Sequence, residues 1–372
     1  MTKIQRIILS GGGTGGHIYP ALSIYRTLKA KNPDLECLYI GTEKGLEGTL
    51  VPEVGLPFKT IPIQGFKRQI SLDNIKTLWY MLSSTQKAKK LIKEFQPDVI
   101  IGTGGYVCAP VLLAGSQLHI PTLIHEQNSI AGLTNKFLSR YVDIIATCFQ
   151  VVQADFAKYS EKIRFTGNPR AQEMASIEAQ EHILSEQFGL KDGKPTVLVF
   201  GGSRGAPAIN QAALEAIDQW RQADYQVIIA SGEVHYDQMQ EEIQSRYGHS
   251  LENIVLVPYI KNMPQVFQAI DLVICRSGAT TLTELMALGK PSILIPSPYV
   301  TANHQEFNAR ALVDQQAADM IKQEDLTGQI LVEKVEMLMS HPDKLQKMSQ
   351  NAKEMAVVDA TDRIIHALEE IV

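Results

Sequence analysis

The chain has 372 residues, more than one ordinary hydrophobic core accommodates, so the sequence predicts two domains. Apolar residues make up 45% of the chain and charged residues 20%, a composition typical of a soluble globular protein. The net charge of −5 argues against a general nucleic-acid-binding protein. The four cysteines are far apart and form no C-x-x-C pair, which argues against a disulfide or zinc framework.

A glycine-rich turn, here called loop A (residues 11–17), follows the first apolar run and ends at His17. The residues from Pro20 onward predict a helix that has this proline in its first turn. Strand, glycine turn and helix direct backbone N–H groups toward one point, which predicts an anion site. The glycines also match G-x-G-x-x-G, but that pattern alone specifies no ligand.

Strands and helices alternate through the first half of the chain, which predicts a mostly parallel sheet covered on both faces. The predicted strands are residues 7–9, 35–40, 58–63, 99–101, 122–125, 143–146 and 163–166. Loop A, loop B (residues 102–106) and residues 125–128 each follow a strand, so we expect them to meet at one crevice. Residues 99–118 are uncharged, but their glycines and Pro110 predict a buried strand–loop–helix unit, not a membrane span.

A break in the alternation at residues 167–169 predicts the domain boundary. We expect a first domain at 1–166, joined by a C-terminal helix at about 355–372, and a second at 167–354. The second domain repeats the opening pattern with a strand at 196–200, loop C (residues 201–205) and a helix at 206–220. Its further predicted strands are residues 226–230, 254–257, 272–275 and 292–295.

Several familiar chemistries lack their motifs. The chain has no P-loop, no G-x-S-x-G, no H-E-x-x-H and no D-x-D, so a metal-held nucleotide-sugar diphosphate is not expected. Negative charge on a diphosphate would then be met by helix N-termini, such as the one after Cys275, and by Arg170 and Arg276.

The motifs as a set resemble one family over nearly the whole chain. They are GGGTGGH at 11–17, GTGGYVCAP at 102–110, HEQN at 125–128, GNPR at 167–170, GGSRGA at 201–206, CRSGATTLTE at 275–284 and NHQEFNA at 303–309. The chain is similar to the MurG family of bacterial N-acetylglucosaminyltransferases. That resemblance implies an α/β protein of the GT-B fold, with two Rossmann-like domains facing across a deep cleft.

The resemblance also implies an activity. The expected reaction moves GlcNAc from UDP-GlcNAc to the muramyl 4-hydroxyl of lipid I, undecaprenyl-diphosphate-MurNAc-pentapeptide, giving lipid II for peptidoglycan synthesis. It inverts the anomeric centre and needs no cofactor. The expected location is the cytoplasmic face of the membrane, bound peripherally to an anionic surface, with proteins of the cell-wall or division machinery as further partners and no nucleic acid.

Carried onto this sequence, the resemblance implies three sets of site residues. The donor set is Thr14, Gly15, Gly16, Asn128, Arg170, Ser203, Ile260, Ala279, Thr280, Thr281, Glu284 and Gln305. The acceptor set is Gly13, Gly104, Gly105 and Tyr106. The expected general base is His17, whose ordinary pKa lies near neutrality, and Glu126 is the competing candidate.

Each of these roles has a simpler alternative. His17 would only organise loop A or contact a diphosphate, Glu126 would be a hydrogen-bond partner behind the site, and Arg170 would form a plain salt bridge. From the residues alone, the pattern of the segment from residue 66 to 95 predicts a core helix with a solvated lysine face. The family resemblance instead favours membrane contact by Phe66, Lys67, Arg68, Ile70, Lys76 and Trp79.

Three rival functions remain at this stage. An NAD(P)-dependent oxidoreductase fits the glycines of loop A, but Gly41 and Thr42 stand where its ribose-binding acidic residue should close the second strand. The others are a non-catalytic nucleotide-sugar-binding subunit and a UDP-GlcNAc 2-epimerase.

Overall fold

The computed structural model describes residues 4–63, 72–202, 204–248 and 251–372, and for residues 72–79 the backbone alone. The chain divides into two compact units, Met1–Glu173 with Val357–Val372 (unit 1) and Met174–Ala356 (unit 2). The domain limits expected from the sequence, 1–166 and 167–354, remain predictions.

Unit 1 is built on a seven-stranded parallel sheet of order β3-β2-β1-β4-β5-β6-β7. Its strands are β1 (Arg6–Ser10), β2 (Glu36–Gly41), β3 (Phe58–Thr60), β4 (Val99–Gly102), β5 (Thr122–Glu126), β6 (Ile144–Thr147) and β7 (Ile163–Phe165). Its helices are α1 (Gly15–Lys31), α2 (Glu47–Glu53), α3 (Leu72–Phe95), α4 (Cys108–Gln117), α5 (Leu133–Leu138), a 3₁₀ segment (Val151–Lys162) and α15 (Ala360–Glu369). Helix α6 (Pro169–Ala175) contains the boundary between the units.

Unit 2 has a six-stranded parallel sheet of order β10-β9-β8-β11-β12-β13. Its strands are β8 (Thr196–Phe200), β9 (Gln226–Ala230), β10 (Ile254–Val257), β11 (Leu272–Cys275), β12 (Ser292–Leu294) and β13 (Asp319–Met320). Its helices are α7 (Ile183–Phe188), α8 (Pro207–Trp220), α9 (Glu233–Tyr247), α10 (Met263–Ala269), α11 (Ala279–Leu288), α12 (His304–Val313), α13 (Gly328–Met339) and α14 (Pro342–Met355), with 3₁₀ turns at Thr301–Asn303 and Gln323–Asp325.

Each sheet is covered on both faces, as the unbroken apolar strands predict. In β1 the side chains alternate, so that Ile7 and Leu9 join one core cluster while Ile8 joins the cluster on the opposite face. Helix α15 adds Ile364 and Leu368 to the first of these clusters. A fully buried side chain of this kind contributes about 1.5–3 kcal/mol.

Two details differ from the sequence prediction. Helix α1 begins at Gly15, so Pro20 is its sixth residue and lies inside the helix instead of in its first turn. Pro20 has no N–H to donate, so α1 lacks the hydrogen bond that another residue at this position would form with the Gly16 carbonyl. Strand β13 was not predicted, since two half-buried residues carry no apolar pattern.

The sheet orders position the loops of interest. In unit 1, β1, β4 and β5 are neighbours, so loop A, loop B and residues 127–128 all leave the same edge of the sheet. In unit 2, β8, β11 and β12 are neighbours in the same way. The strand order reverses at β1/β4 and at β8/β11, which is where open parallel sheets bind ligands.

Candidate active site

Loops A and B of unit 1 interlock through their backbones. The Gly12 N–H donates to the Gly104 carbonyl at 3.1 Å, and the Tyr39 hydroxyl donates to the Gly11 carbonyl at 2.8 Å. Gly105 has φ +87°, and a Cβ there would collide with the Gly12 carbonyl oxygen. Glycine is therefore required at this crossing, and the two loops form one rigid surface.

His17 is held on that surface. It is the third residue of α1, and its imidazole Nδ1 lies 2.8 Å from the Gly12 carbonyl oxygen. A carbonyl only accepts, so Nδ1 carries the proton, and in the neutral imidazole Nε2 then carries the lone pair. The ring lies close to Gly104, where a Cβ would lie 2.6 Å from His17 Cδ2, and the side chain is half-buried. The Thr103 hydroxyl fixes the backbone by donating to the His17 carbonyl at 2.6 Å.

The remaining predicted residues of these loops differ in how they are exposed. Thr14 is the exposed N-cap of α1, and Gly15 and Gly16 are half-buried in its first turn. Gly13 is exposed, with φ +85°, but its N–H donates to Glu47 Oε2 at 2.9 Å. Tyr106 is 54% exposed, so it does not pack into the core below loop B.

Glu126 is enclosed at the end of β5, with 1% of its surface exposed. Its Oε1 accepts from the Asn128 N–H at 3.0 Å and from Asn128 Nδ2 at 3.1 Å. Its Oε2 accepts from the Gly132 N–H at 2.9 Å and from Asn135 Nδ2 at 2.8 Å. Four donors thus occupy the carboxylate, and it sets the conformation of the loop that presents Asn128.

A buried polar chain continues behind this loop. Gln127 Nε2 donates to the Thr103 carbonyl at 2.7 Å and to His125 Nδ1 at 2.8 Å, and His125 Nε2 donates to the Gly167 carbonyl at 3.0 Å. Burial lowers the pKa of His125 to about 4, so this imidazole is neutral near pH 7. The sequence motif HEQN marked this loop but did not show that three of its four residues are buried.

In unit 2 the N-terminus of α11 follows β11 directly. The residue before the helix is Gly278, which offers no side-chain cap, and a Cβ there would meet nothing within 4 Å. Ala279 is buried, while Thr280, Thr281 and Glu284 are half-buried along the same helix. First-turn N–H groups have no partner within their own helix, so this end can receive an anion.

Gln305 has one end of its amide fixed and the other available. Its Oε1 accepts from the Ser297 N–H at 2.9 Å, and its carbonyl accepts from the Ser277 hydroxyl at 2.7 Å. Its Nε2 has no hydrogen-bond acceptor among the described residues, and the side chain is half-buried, so part of it is accessible to a ligand. The amide can therefore donate to a ligand hydroxyl.

Ile260 lies between β10 and α10, and its side chain is only 1% exposed. A contact with a base therefore has to come from its backbone. Within the described part of the chain, neither its N–H nor its carbonyl oxygen is hydrogen-bonded. Such an adjacent donor and acceptor match the edge of a uracil ring.

The two arginines singled out from the sequence have different partners. Arg170 forms an ion pair with Glu173 at 2.8 Å and lies 5.5 Å from the centre of the Tyr19 ring, which is the simpler alternative considered for it. Arg276 donates to the carbonyls of Ile295 and Pro296 at 3.0 and 3.2 Å, and burial lowers its pKa. All three acceptors of Arg276 among the described residues are neutral, the third being the Gln323 side chain at 2.6 Å.

Some predicted residues cannot be placed. Ser203 and the membrane candidates Phe66, Lys67, Arg68 and Ile70 lie outside the described residues, as do the side chains of Lys76 and Trp79. In the described half of α3, Ala88 and Ile92 are buried while Lys87, Lys90 and Lys93 face solvent. Leu82 on this helix is 64% exposed.

Neither a metal cluster nor a membrane span is found where the structure can be described. The residues described include no group of three or more His, Cys, Asp or Glu side chains arranged to hold an ion. Within the same ranges, no helix has both the length and the apolarity to cross a bilayer.

Two Rossmann-like units with loops at their strand switch points are typical of nucleotide-binding α/β proteins, and the family comparison specifies the class as a glycosyltransferase. The glycosyltransferase family 28 N-terminal domain matches residues 7–147, and the C-terminal domain of that family matches residues 196–364. The chain belongs to glycosyltransferase family 28. The match confirms the predicted α/β class with two Rossmann-like domains.

Relatives narrow the class to one enzyme. The chain is 49% identical over 368 residues to a protein of Bacillus cereus, covering 99% of this chain and 100% of that one. It is 51% identical to a protein of Listeria monocytogenes, covering 99% of both. Both are named UDP-N-acetylglucosamine–N-acetylmuramyl-(pentapeptide) pyrophosphoryl-undecaprenol N-acetylglucosamine transferase. The structure resembles MurG of Acinetobacter baumannii with a TM-score of 0.77 and 27% identity, covering 98% and 99% of the two chains, which agrees with the GT-B fold.

Proposed function

We propose that this chain transfers GlcNAc from UDP-GlcNAc to the muramyl 4-hydroxyl of lipid I, making lipid II with inversion at the anomeric carbon. The observation that carries the assignment is identity of 49–51% with transferases of that name across nearly the whole chain. The chain is accordingly a UDP-GlcNAc-dependent N-acetylglucosaminyltransferase. An NAD(P)-dependent oxidoreductase, a non-catalytic nucleotide-sugar-binding subunit and a UDP-GlcNAc 2-epimerase are not favoured.

His17 is the proposed general base. A single displacement requires removal of the proton from the attacking hydroxyl, and histidine is a common general base for such a step. The Nδ1–H bond to Gly12 supports the role because it leaves Nε2 as the basic atom and fixes the ring. Loop B, with Gly104, Gly105 and Tyr106, is proposed to receive the acceptor beside it.

Glu126 is less suited to proton abstraction. Its two oxygens already accept four hydrogen bonds at 2.8–3.1 Å, so taking a substrate proton would break part of this set. We assign it instead to holding Asn128, which is proposed to reach the donor sugar together with Thr14, Gly15 and Gly16. These four sugar contacts remain predictions.

The donor is proposed to bind in unit 2. Gln305 Nε2 would donate to sugar hydroxyls, and the Glu284 carboxylate would accept from the ribose hydroxyls. The backbone of Ile260 would pair with uracil. The N-terminus of α11, at Ala279, Thr280 and Thr281, would stabilise the negative charge that develops on the departing UDP.

No cofactor is required by this scheme. The departing diphosphate would be balanced by the α11 N-terminus and by Arg276, whose guanidinium bonds only neutral oxygens among the described residues. Contacts of Arg170 and Ser203 with UDP stay predictions.

The lipid acceptor gives a reason to propose peripheral binding at the cytoplasmic membrane face. The proposed contact surface is the segment of Phe66, Lys67, Arg68, Ile70, Lys76 and Trp79, where apolar side chains would enter the interface and cations would meet anionic lipid. Proteins of the cell-wall or division machinery are proposed as further partners.

The test is direct product analysis. Incubation with UDP-GlcNAc and a lipid I analogue should give a disaccharide product with inverted configuration at the new linkage. His17→Ala should lose nearly all turnover while retaining UDP binding by calorimetry. Near-normal turnover of that variant would remove His17 as the base, and absence of any disaccharide from the unaltered protein would refute the function.

A further inference from the structure

A carboxylate that the sequence did not single out lies buried against loop A. Glu47 is the first residue of α2 and is 0% exposed. Three glycines make room for it: a Cβ at Gly12 or Gly45 would collide with its carboxylate, and one at Gly41 would lie 2.7 Å from its Cγ. Glycine at these positions is thus a requirement of the buried side chain.

The carboxylate joins loop A to the turn after β2. Its Oε1 accepts from the Thr42 N–H at 3.0 Å and from the Thr42 hydroxyl at 2.6 Å. Its Oε2 accepts from the Gly13 N–H at 2.9 Å. A protein carboxylate therefore occupies the glycine-loop N–H that a bound phosphate would otherwise use, which argues against a diphosphate at Gly13.

One peptide group connects Glu47 to His17. The peptide between residues 12 and 13 comprises the Gly12 carbonyl and the Gly13 N–H. Glu47 accepts from its N–H at 2.9 Å, and His17 Nδ1–H donates to its carbonyl at 2.8 Å. Because a peptide group is planar, fixing its N–H also fixes the direction of its carbonyl. Hydrogen bonds in such a chain also polarise one another.

We propose that Glu47 is a positioning residue for His17 and acts through the peptide group between residues 12 and 13. It orients the Gly12 carbonyl, which holds the proton on Nδ1 and fixes the imidazole ring. The arrangement corresponds to a base oriented by a third group, with a peptide group inserted between the carboxylate and the imidazole. This inference rests on the proposed role of His17 in glycosyl transfer.

Glu47→Gln tests the inference, because the amide has one acceptor oxygen where the carboxylate has two. Either the Gly13 N–H or the Thr42 N–H then faces an NH₂ group. We expect kcat to fall by about 10- to 100-fold, as for a displacement of the base by a fraction of an ångström to 1 Å. The Kd for UDP by calorimetry should be unchanged, because none of the proposed UDP contacts lies in loop A or α2.

The imidazole itself provides a readout that a purely structural role would not change. In ¹⁵N-labelled protein, the His17 signals are those missing from His17→Ala. The unaltered protein should show a protonated Nδ1, and Glu47→Gln should show loss of that preference. A retained Nδ1–H tautomer together with unchanged kcat would overturn the inference.

A matched control is available at the other end of the same sheet. Asp143 accepts from the Thr122 N–H at 2.8 Å and the Thr122 hydroxyl at 2.9 Å, at the start of β5. Asp143→Asn makes the same change of charge against the same donor types, and it should leave kcat and the His17 tautomer unchanged. An equal fall in kcat in this variant would mean that general destabilisation, not positioning, lowers the rate.

If Glu47→Gln does not fold, Thr42→Val and Thr42→Ser decide the matter. Valine removes the hydroxyl that donates to Glu47 and should lower kcat about 5-fold, the value of one lost hydrogen bond. Serine keeps the donor and should retain the rate. Equal rates for both would overturn the inference. Failure of the unaltered protein to transfer GlcNAc would instead refute the proposed function, and the tautomer measurement separates the two cases.

Discussion

Glu126→Gln separates a structural carboxylate from a catalytic one. The side chain is 1% exposed, and each of its two oxygens accepts two hydrogen bonds. Glutamine replaces one oxygen by NH₂, so the two donors on that side lose their acceptor and face N–H groups. They are either the two donors of Asn128 or those of Gly132 and Asn135.

The size of the effect follows from those contacts. A buried donor without an acceptor costs about 1–3 kcal/mol, so two of them place the loss near 3 kcal/mol. For a unit of this size, each kcal/mol lowers Tm by about 2–4 °C, which gives a decrease of roughly 6–12 °C. The rate should also fall, because Asn128 moves.

The assay combines thermal unfolding with the pH dependence of kcat. We expect Glu126→Gln to lower Tm and to lower kcat by the same factor at every pH. His17→Ala, the comparison variant, should lose the rate without a comparable loss of Tm. If Glu126→Gln kept its Tm and lost the rate, the structural assignment would be wrong and Glu126 would be the base.

Three further predictions concern other parts of unit 1. Gly105→Ala should be destabilised by about 2–4 kcal/mol in urea unfolding, because φ is +87° and the Cβ meets the Gly12 carbonyl; an unaffected variant would contradict the interlocked loops. Burial lowers the pKa of His125 from 6.5 to about 4, so the unfolded chain takes up a proton first as pH falls. Stability present above pH 6.5 should then decline by about 3 kcal/mol toward pH 4, a slope that His125→Gln should lack. The double variant Lys67→Glu, Arg68→Glu should no longer sediment with anionic vesicles, and unchanged sedimentation would place the membrane surface elsewhere.

The strands could be predicted because their signal is local. Every predicted strand has a counterpart, since parallel strands buried on both faces are continuous apolar runs such as residues 196–200. Strand β13 was missed because Asp319 and Met320 are only half-buried and owe their pairing to β12. The start of α1 differs from the prediction because proline is typical of a first turn, whereas this helix already begins at Gly15, inside the glycine-rich turn.

The site was predictable as a set of loops but not as a set of contacts. Motifs placed His17 after β1 and Glu126 at the end of β5, two strands whose loops the sheet order brings to the same edge, and placed Gln305 at the opening of a helix. The contact of Glu47 with loop A could not be predicted, because its partner Gly13 is 34 positions away and no motif links the two residues. The four donors to Glu126 come from the loop and helix that follow it, but the motif HEQN does not show that this segment turns back onto the carboxylate, so its burial could not be foreseen.

Release of UDP from UDP-GlcNAc, measured with and without a lipid I analogue, is the direct test of whether this chain transfers GlcNAc to lipid I. If the chain transfers GlcNAc to lipid I with His17 as base, we expect rapid release of UDP only when the acceptor is present. We also expect a strongly reduced rate of release for His17→Ala under the same conditions. Tight UDP-GlcNAc binding without any acceptor-dependent release of UDP would contradict it and would leave a nucleotide-sugar-binding protein in place of a transferase.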